Sequence, residues 1–303
     1  MFSTRSGAAK LALVVVIGLI VFKVVVGAIT GSISVIAQAV DSFLDLFAIS
    51  ITFFAVIIAS KPADEEHPFG HGKVENLAAI IQAILIFTAG GLIIYSAIRR
   101  IITGTTIELT EAGIGVMAVS IITSIFLSRH LLKVARAADS VALEANAHNI
   151  AADVYSAAGV LAGLVVIRFT RLSIIDPIIA LLVSLIILKS AYNVLRKSFG
   201  GLIDVKLPET EENMIRSAIM EHVGELVDYH KLRTRKAGRQ RYIDLHLVMP
   251  KDISVEEAHR MCDHLEQDIK SKLHHASVII HVEPCSEKCD LCPISSDLHK
   301  DKS

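Results

Sequence analysis

At 303 residues, 52% of them hydrophobic, and with a mean hydropathy of +0.56, the chain has a membrane composition that excludes a wholly soluble protein. The formal net charge of −1 argues neither for nor against nucleic acid, but no basic, aromatic-interleaved patch appears, so no such partner is expected. Nearly all long apolar runs fall in residues 1–200, whereas 201–303 is charged and His-rich, so two domains meeting near Gly200-Gly201 are expected. The first run, 11–30, follows Arg5 and Lys10 and is too long for a signal-peptide core, so it reads as a retained membrane helix. It carries Lys23, a cation at membrane depth that needs a partner or a route to the interface. A short TGS loop leads to a second apolar run at 33–59, and the polar loop KPADEEHPFGHGK to a third at 75–102. Runs at 112–134, 141–167 and 174–196 complete a set of six, each long enough to cross a bilayer.

Lysine and arginine bias sets the expected orientation. With the N-terminus inside, Arg5, Lys10, Lys61, Lys73, Arg129, Lys133, Arg136, Arg196 and Lys197 face the cytoplasm, against Arg99, Arg100, Arg168 and Arg171 outside. Both termini and the soluble domain are therefore expected in the cytoplasm, with the protein in the cell membrane. In the soluble part, 209–223 reads as an amphipathic helix after Pro208, and 226–235 and 239–249 as strands about a turn at Lys236-Ala237-Gly238. Ser254 and Glu257 form a capping-box signal opening a helix to about Leu273, and 276–283 is a third strand. The order is α-β-β-α-β over 201–292, followed by a polar tail at 293–303 expected to be disordered.

Asp41 and Asp45 sit four apart inside the second apolar run, on one side of a helix if helical. Carboxylates at such depth cost at least a few kcal/mol and mark a functional site. Asn149 and Asp153 repeat the spacing in the fifth run. Four oxygen-bearing side chains meeting between two membrane helices would hold a divalent cation. Asp64, His67 and His71 in DEEHPFGHGK have the donor types of a zinc-like site, although the segment reads equally as a solvated loop. His230, His246 and His281 on predicted strands, His259 on a helix, and Glu283 two residues past His281 offer a further donor set; scattered surface histidines are the alternative. Cys285, Cys289 and Cys292 suit zinc, Cu(I) or an iron–sulfur cluster, or form a reduced tail, while Cys262 reads as a small, buried apolar residue.

Together these motifs resemble the cation diffusion facilitator family across nearly the whole chain. The DxxxD of Asp41 and Asp45, the HPFGHGKxE run from His67 to Glu75, and Asp153 in AADVYSAAGVL carry the likeness in the first domain. The resemblance implies six transmembrane helices and a metallochaperone-like α+β cytoplasmic domain. It implies a transport site at Asp41, Asp45, Asn149 and Asp153 and a loop site at Asp64, His67 and His71. It also implies a cytoplasmic binuclear site drawn from His230, His246, His259, His281 and Glu283, where the family usually has an aspartate at the last position. Lys73 and Asp204 match a charge pair that holds the membrane halves of a homodimer together. Zinc members carry HxxxD on the fifth helix; here Asn149 replaces that histidine, and His148 lies about 100° around the helix. An all-oxygen site favours Mn²⁺ or Fe²⁺, whereas the histidine sites look suited to Zn²⁺.

The expected function is proton-coupled efflux of a divalent transition metal by a homodimer, with metal also regulating the cytoplasmic domain. Carboxylates crowded in a low-dielectric cleft can share protons, which equips them as carriers. A membrane metallohydrolase using His67 and His71 is the competing class, but HExxH is absent and Pro68 and Gly70 disfavour a helix there. A metal sensor without transport leaves the intramembrane acids unexplained.

Overall fold

The computed structural model describes residues 4–30, 33–103, 111–170, 175–222 and 228–285, with some side chains in 30–44, 111–113, 160–170 and 175–176 left aside. The chain divides into two compact units, Met1–Leu202 and Ile203–Ser303. The first holds six helices: α1 (Arg5–Thr30), α2 (Ile33–Ala59), α3 (Val74–Thr103), α4 (Glu111–Ala138), α5 (Val141–Thr170) and α6 (Ile175–Leu202). Among the described residues, four stretches are long and apolar enough to cross a membrane: Arg5–Ile29, Val74–Thr103, Ile114–Ala138 and Pro177–Leu202. In α2 the shorter stretch Asp45–Ala59 is apolar as well.

Small residues let these helices approach closely. Ala8, Ala9 and Ala12 of α1 share a buried cluster with Ile49 and Val56 of α2, Leu131 of α4, and Leu143, Ala147 and Ile150 of α5. At Gly90 a Cβ would lie 2.8 Å from the Leu188 side chain, so glycine there sets the spacing between α3 and α6.

One end of the bundle is tied by a buried ion pair. Arg5 Nη1 meets Glu75 Oε1 at 2.6 Å, the Ser140 hydroxyl donates to the other Glu75 oxygen, and Arg5 Nη2 donates to Ser60 Oγ at 3.2 Å. Glu75 is fully buried, so these donors replace the water it has lost. Arg5→Ala is expected to cost about 3–5 kcal/mol by stranding the carboxylate. Glu75→Gln, which keeps an acceptor for Arg5, should cost less. Thermal midpoints in detergent should rank parent above Glu75→Gln above Arg5→Ala; equal midpoints would remove the pair from the account of stability.

The second unit contains α7 (Glu209–Met220), β1 (Asp228–Ala237), β2 (Gln240–Met249), α8 (Val255–Lys272) and β3 (Ala276–Pro284). This is the expected α-β-β-α-β order, with the first helix ending three residues early and the first strand displaced two residues along the chain. The sheet runs β1-β2-β3, with β1 antiparallel and β3 parallel to β2. Gly238, at φ +61°, makes the β1–β2 turn. Ile243, Leu245, Leu247 and Met249 alternate along β2 and bury one face against Ile215 and Ile219 of α7 and Met261, Leu265 and Ile269 of α8. Cys262 packs partly buried beside this core; burial and the neighbouring Asp263 and Glu266 push its thiol up, away from the reactive thiolate.

The capping box of α8 is complete. Ser254 Oγ accepts from the Glu257 amide at 3.2 Å, and the Glu257 carboxylate accepts from the Ser254 amide and hydroxyl. Ser254→Ala should cost the isolated unit about 1 kcal/mol. Because the Ser254 amide, first, and its hydroxyl hold Glu257 below its ordinary carboxylate range, the carboxylate's share of the cap is fully present above that range. It is lost as pH falls through the lowered folded value. Urea unfolding should therefore show a gap between parent and variant that narrows in acid but does not close, because the bond from the Glu257 amide to Ser254 Oγ does not titrate; a constant gap down to about pH 3 would contradict the linkage.

Candidate metal sites

In the unit Met1–Leu202, residues 61–73 form an irregular segment between α2 and α3 rather than a helix. Gly70, at φ +76°, turns the chain back, and its amide donates to the His67 carbonyl at 2.8 Å. The Asp64 carboxylate is the hub. Its Oδ1 accepts from the His67 amide at 2.7 Å and lies 3.1 Å from His67 Nδ1, while Oδ2 lies 3.4 Å from His71 Nε2. The two imidazole centroids are 4.4 Å apart. The His67 amide, first, and then both imidazoles draw the Asp64 pKa down, so the residue is an anion at neutral pH. Donor atoms of Asp64, His67 and His71 all lie within 4.8 Å of one another. His71 Nδ1 is buried with no hydrogen-bond partner among the described residues. Two imidazoles, one of them with an unpaired nitrogen, and one carboxylate fit a zinc-like cation.

In the second unit, strand register assembles a set that sequence spacing alone left open. His230 on β1 pairs across to His246 on β2, and His246 pairs to His281 on β3. Three histidines thus form a row across the sheet, on the face opposite the helices. Glu283, two residues past His281, returns to that face. Its Oε1 lies 2.6 Å from His246 Nδ1, its Oε2 3.0 Å from His230 Nε2, and His281 Nε2 is 3.8 Å away. The hydrogen bond with His246, and then the Lys231 ammonium, hold Glu283 below its ordinary carboxylate range against the effect of burial. His230, His246 and Glu283 bring donor atoms within 4.8 Å of one another. Lys231, at φ +52°, and a register shift between His230 and Arg233 bend β1 beside the site.

His259 stands apart. It is mostly exposed on α8 and sits 3.6 Å from Asp263 of the same helix. The reason is the helix phase: Ala258, Met261, Leu265 and Ile269 bury the other side of α8 against the sheet face away from the histidine row. Within one chain, His259 is not brought to His230, His246 and Glu283. Cys289, Cys292 and the tail lie outside the described residues, while Cys285 donates its amide to the Met249 carbonyl at 2.9 Å.

The membrane acids lie on packed helices. Asp45 is partly buried on α2, Asn149 is buried and Asp153 exposed on α5, and the Asp41 side chain lies outside the described ones. Helices α2 and α5 contact each other through Ile49, Val56, Leu143, Ala147 and Ile150. Lys23 of α1 is buried, and its ammonium donates to Ser42 Oγ at 2.7 Å, one residue from Asp41. His148 points elsewhere: its Nδ1 is 3.0 Å from Ser190 Oγ of α6. Lys73 donates to the Leu202 carbonyl at 3.3 Å, and Asp204 lies 3.6 Å from Arg235.

Gln82, Thr52 and Asn146 are buried polar residues that the sequence reading passed over. Gln82 of α3 donates Nε2 to the Ala48 carbonyl at 2.6 Å and to Thr52 Oγ1 at 2.9 Å, both on α2. Its Oε1, and both polar atoms of Asn146 on α5, are buried with no partner among the described residues. Bare groups of this kind cost about 1–3 kcal/mol each. Their signal in the sequence is an amide inside an apolar run, as in AAIIQAILIF.

Comparison with known proteins places these sites in context. Residues 9–203 match the family profile described as the cation efflux transmembrane domain, and 207–285 the one described as the cation efflux protein, cytoplasmic domain. An uncharacterised transporter of Synechocystis sp. is 30% identical over 280 residues, covering 91% of this chain and 90% of that protein. The cation-efflux pump FieF of Cronobacter sakazakii is 33% identical over 281 residues, covering 93% of each. The solved metal-bound C-terminal domain of the CzcD transporter from Thermotoga maritima is 24% identical, with a TM-score of 0.24 over 26% of this chain and 94% of that one.

Proposed function

Because this chain belongs to the cation efflux family, whose members are transporters and not enzymes, we propose that it moves a divalent transition metal out of the cytoplasm in exchange for protons. In this reading all six helices cross the cell membrane, both termini are cytoplasmic, and residues 201–292 form the metal-binding and dimerisation domain of a homodimer, with Lys73 and Asp204 at the seam. The observation that carries it is Asp45 on α2 and Asn149 with Asp153 on α5, on two packed helices of an apolar bundle. Cation and protons compete for Asp41, Asp45 and Asp153. Metal arriving from the cytoplasm displaces protons; rocking of the helices exposes the site outward, where protons return and metal leaves. An all-oxygen donor set favours harder cations such as Mn²⁺ or Fe²⁺ as cargo, with Zn²⁺ the third candidate. Asp64, His67 and His71, and His230, His246, His281 and Glu283, would hold regulatory metal, for which zinc is the better match.

Flux into proteoliposomes, measured for Zn²⁺, Mn²⁺, Fe²⁺, Co²⁺ and Cd²⁺ with and without a pH gradient, tests the proposal. Uptake that ignores the gradient would remove proton exchange, and no uptake of any cation would remove transport. The cytoplasmic unit expressed alone is expected to dimerise and bind Zn²⁺, gaining about 2.7 kcal/mol of stability at a hundredfold excess over its dissociation constant. His246→Ala should abolish that gain. Calorimetry showing no binding tighter than about millimolar, which corresponds to about 4.1 kcal/mol, would leave the histidine row without a metal role.

A further inference from the structure

We propose that Gln82, Thr52 and Asn146 form a second polar station on the cation's path, one layer inward of the transport site, that receives a divalent cation still carrying part of its water shell. The inference rests on the transport-site reading above and adds a site to it.

Helix phase puts these residues in line with that site. On α5, Asn146, Asn149 and Asp153 fall within about 60° of one another about the axis. On α2, Asp41, Asp45, Ala48 and Thr52 do the same. Both stripes run toward the end of the bundle where Ser60, Glu75 and Ser140 lie beside Arg5. Gln82 closes the layer from α3: it bonds α2 directly, and its neighbours Ala79 and Ala83 pack with Val141 and Ala145 of α5.

Exposure falls along α5 from Asp153 through Asn149, at 9%, to Asn146, at 0%. Gln82 and Thr52 are also at 0%. The layer is therefore shut in this conformation, and it is shut with amide groups that have no partner among the described residues. Gln82 Nε2 is engaged twice on α2, which fixes which end of the amide carries the oxygen and leaves Oε1 as a bare acceptor. Asn146 leaves both an acceptor and a donor without a partner among the described residues. Unpaired groups buried in a native structure call for a water, an ion or a function. Neutral amide oxygens and a hydroxyl are too weak to strip a dication, but they accept well from the polarised waters around one. Opening the layer to a hydrated cation would supply donors to both amide oxygens, Gln82 Oε1 and Asn146 Oδ1, at once. The station would thus lower the cost of passage without holding the cargo.

The test is cation flux against concentration in proteoliposomes of the full-length protein, using Mn²⁺ and Zn²⁺ alone as probes. Gln82→Leu and Asn146→Leu should raise KM by about tenfold while the solution profile and thermal midpoint hold. Asn146→Asp supplies the sign: an added carboxylate on the path should lower KM and slow turnover, because the cation lingers. If Asp45→Ala is inactive while every station variant keeps the parent's KM and turnover, the layer holds a structural water only and the proposal fails. If Asn146→Asp does not fold, the two leucine variants decide by KM alone. Flux that survives in Asp45→Ala overturns the transport site itself, a different result.

Discussion

Asp45→Ala is expected to reduce metal flux at least about a hundredfold, a loss of about 2.7 kcal/mol in stabilising the bound cation, and to leave a folded, inserted protein. The two halves of that result have one cause. Asp45 sits partly buried on α2, in an apolar run where a carboxylate serves a cation better than it serves packing. The variant should therefore stay folded and inserted. The dication, however, loses one of the three negative charges that replace its hydration shell. Asp41→Ala and Asp153→Ala should behave alike. Measurement needs flux at matched protein density beside a size-exclusion profile of the same preparation. Parent-level flux in Asp45→Ala would end the site assignment, whatever the other variants do.

Asn149→His is expected to shift the ratio of Zn²⁺ to Mn²⁺ flux upward by about tenfold, a preference of about 1.4 kcal/mol. Asn149 is buried on α5 one turn before Asp153, so a new imidazole there shares the face of that carboxylate. A neutral imidazole nitrogen in place of an amide oxygen suits Zn²⁺ better and leaves the formal charge of the site unchanged. An unperturbed imidazole also titrates near neutrality, so flux should depend more steeply on pH between about 6 and 7. His148→Ala provides the contrast. Its ring is turned to Ser190 of α6, and its loss should leave the ratio where it was. A ratio that is unchanged in Asn149→His, or lowered, would mean that the position does not face the cargo.

The contrast between neighbouring residues 148 and 149 shows what kind of information each level holds. Apolar run length, a property of the chain alone, located the six helices, and the strand alternation of Ile243, Leu245, Leu247 and Met249 located the sheet's buried face. The capping box at Ser254 and Glu257 was legible for the same reason: its hydrogen bonds span three residues. The Asp64, His67 and His71 group was also readable, since one short turn closes it. Sites that draw on distant segments were legible only as donor inventories. The inventory placed His259 with the other histidines, but the buried stripe of α8 turns it to the opposite side of the sheet. Strand register, set by the β1–β2 turn and the parallel return of β3, decided that His230, His246 and His281 form one row with Glu283 beneath them. In the bundle, the rotation of each helix decided that Lys23 meets Ser42 and that Gln82 leans on α2. Periodicity tells which residues share a face of their own element. Which foreign face they meet is fixed by side-chain packing between elements, such as Gly90 against Leu188 and Ala79 beside Ala145, and that complementarity exists only once the chain has folded.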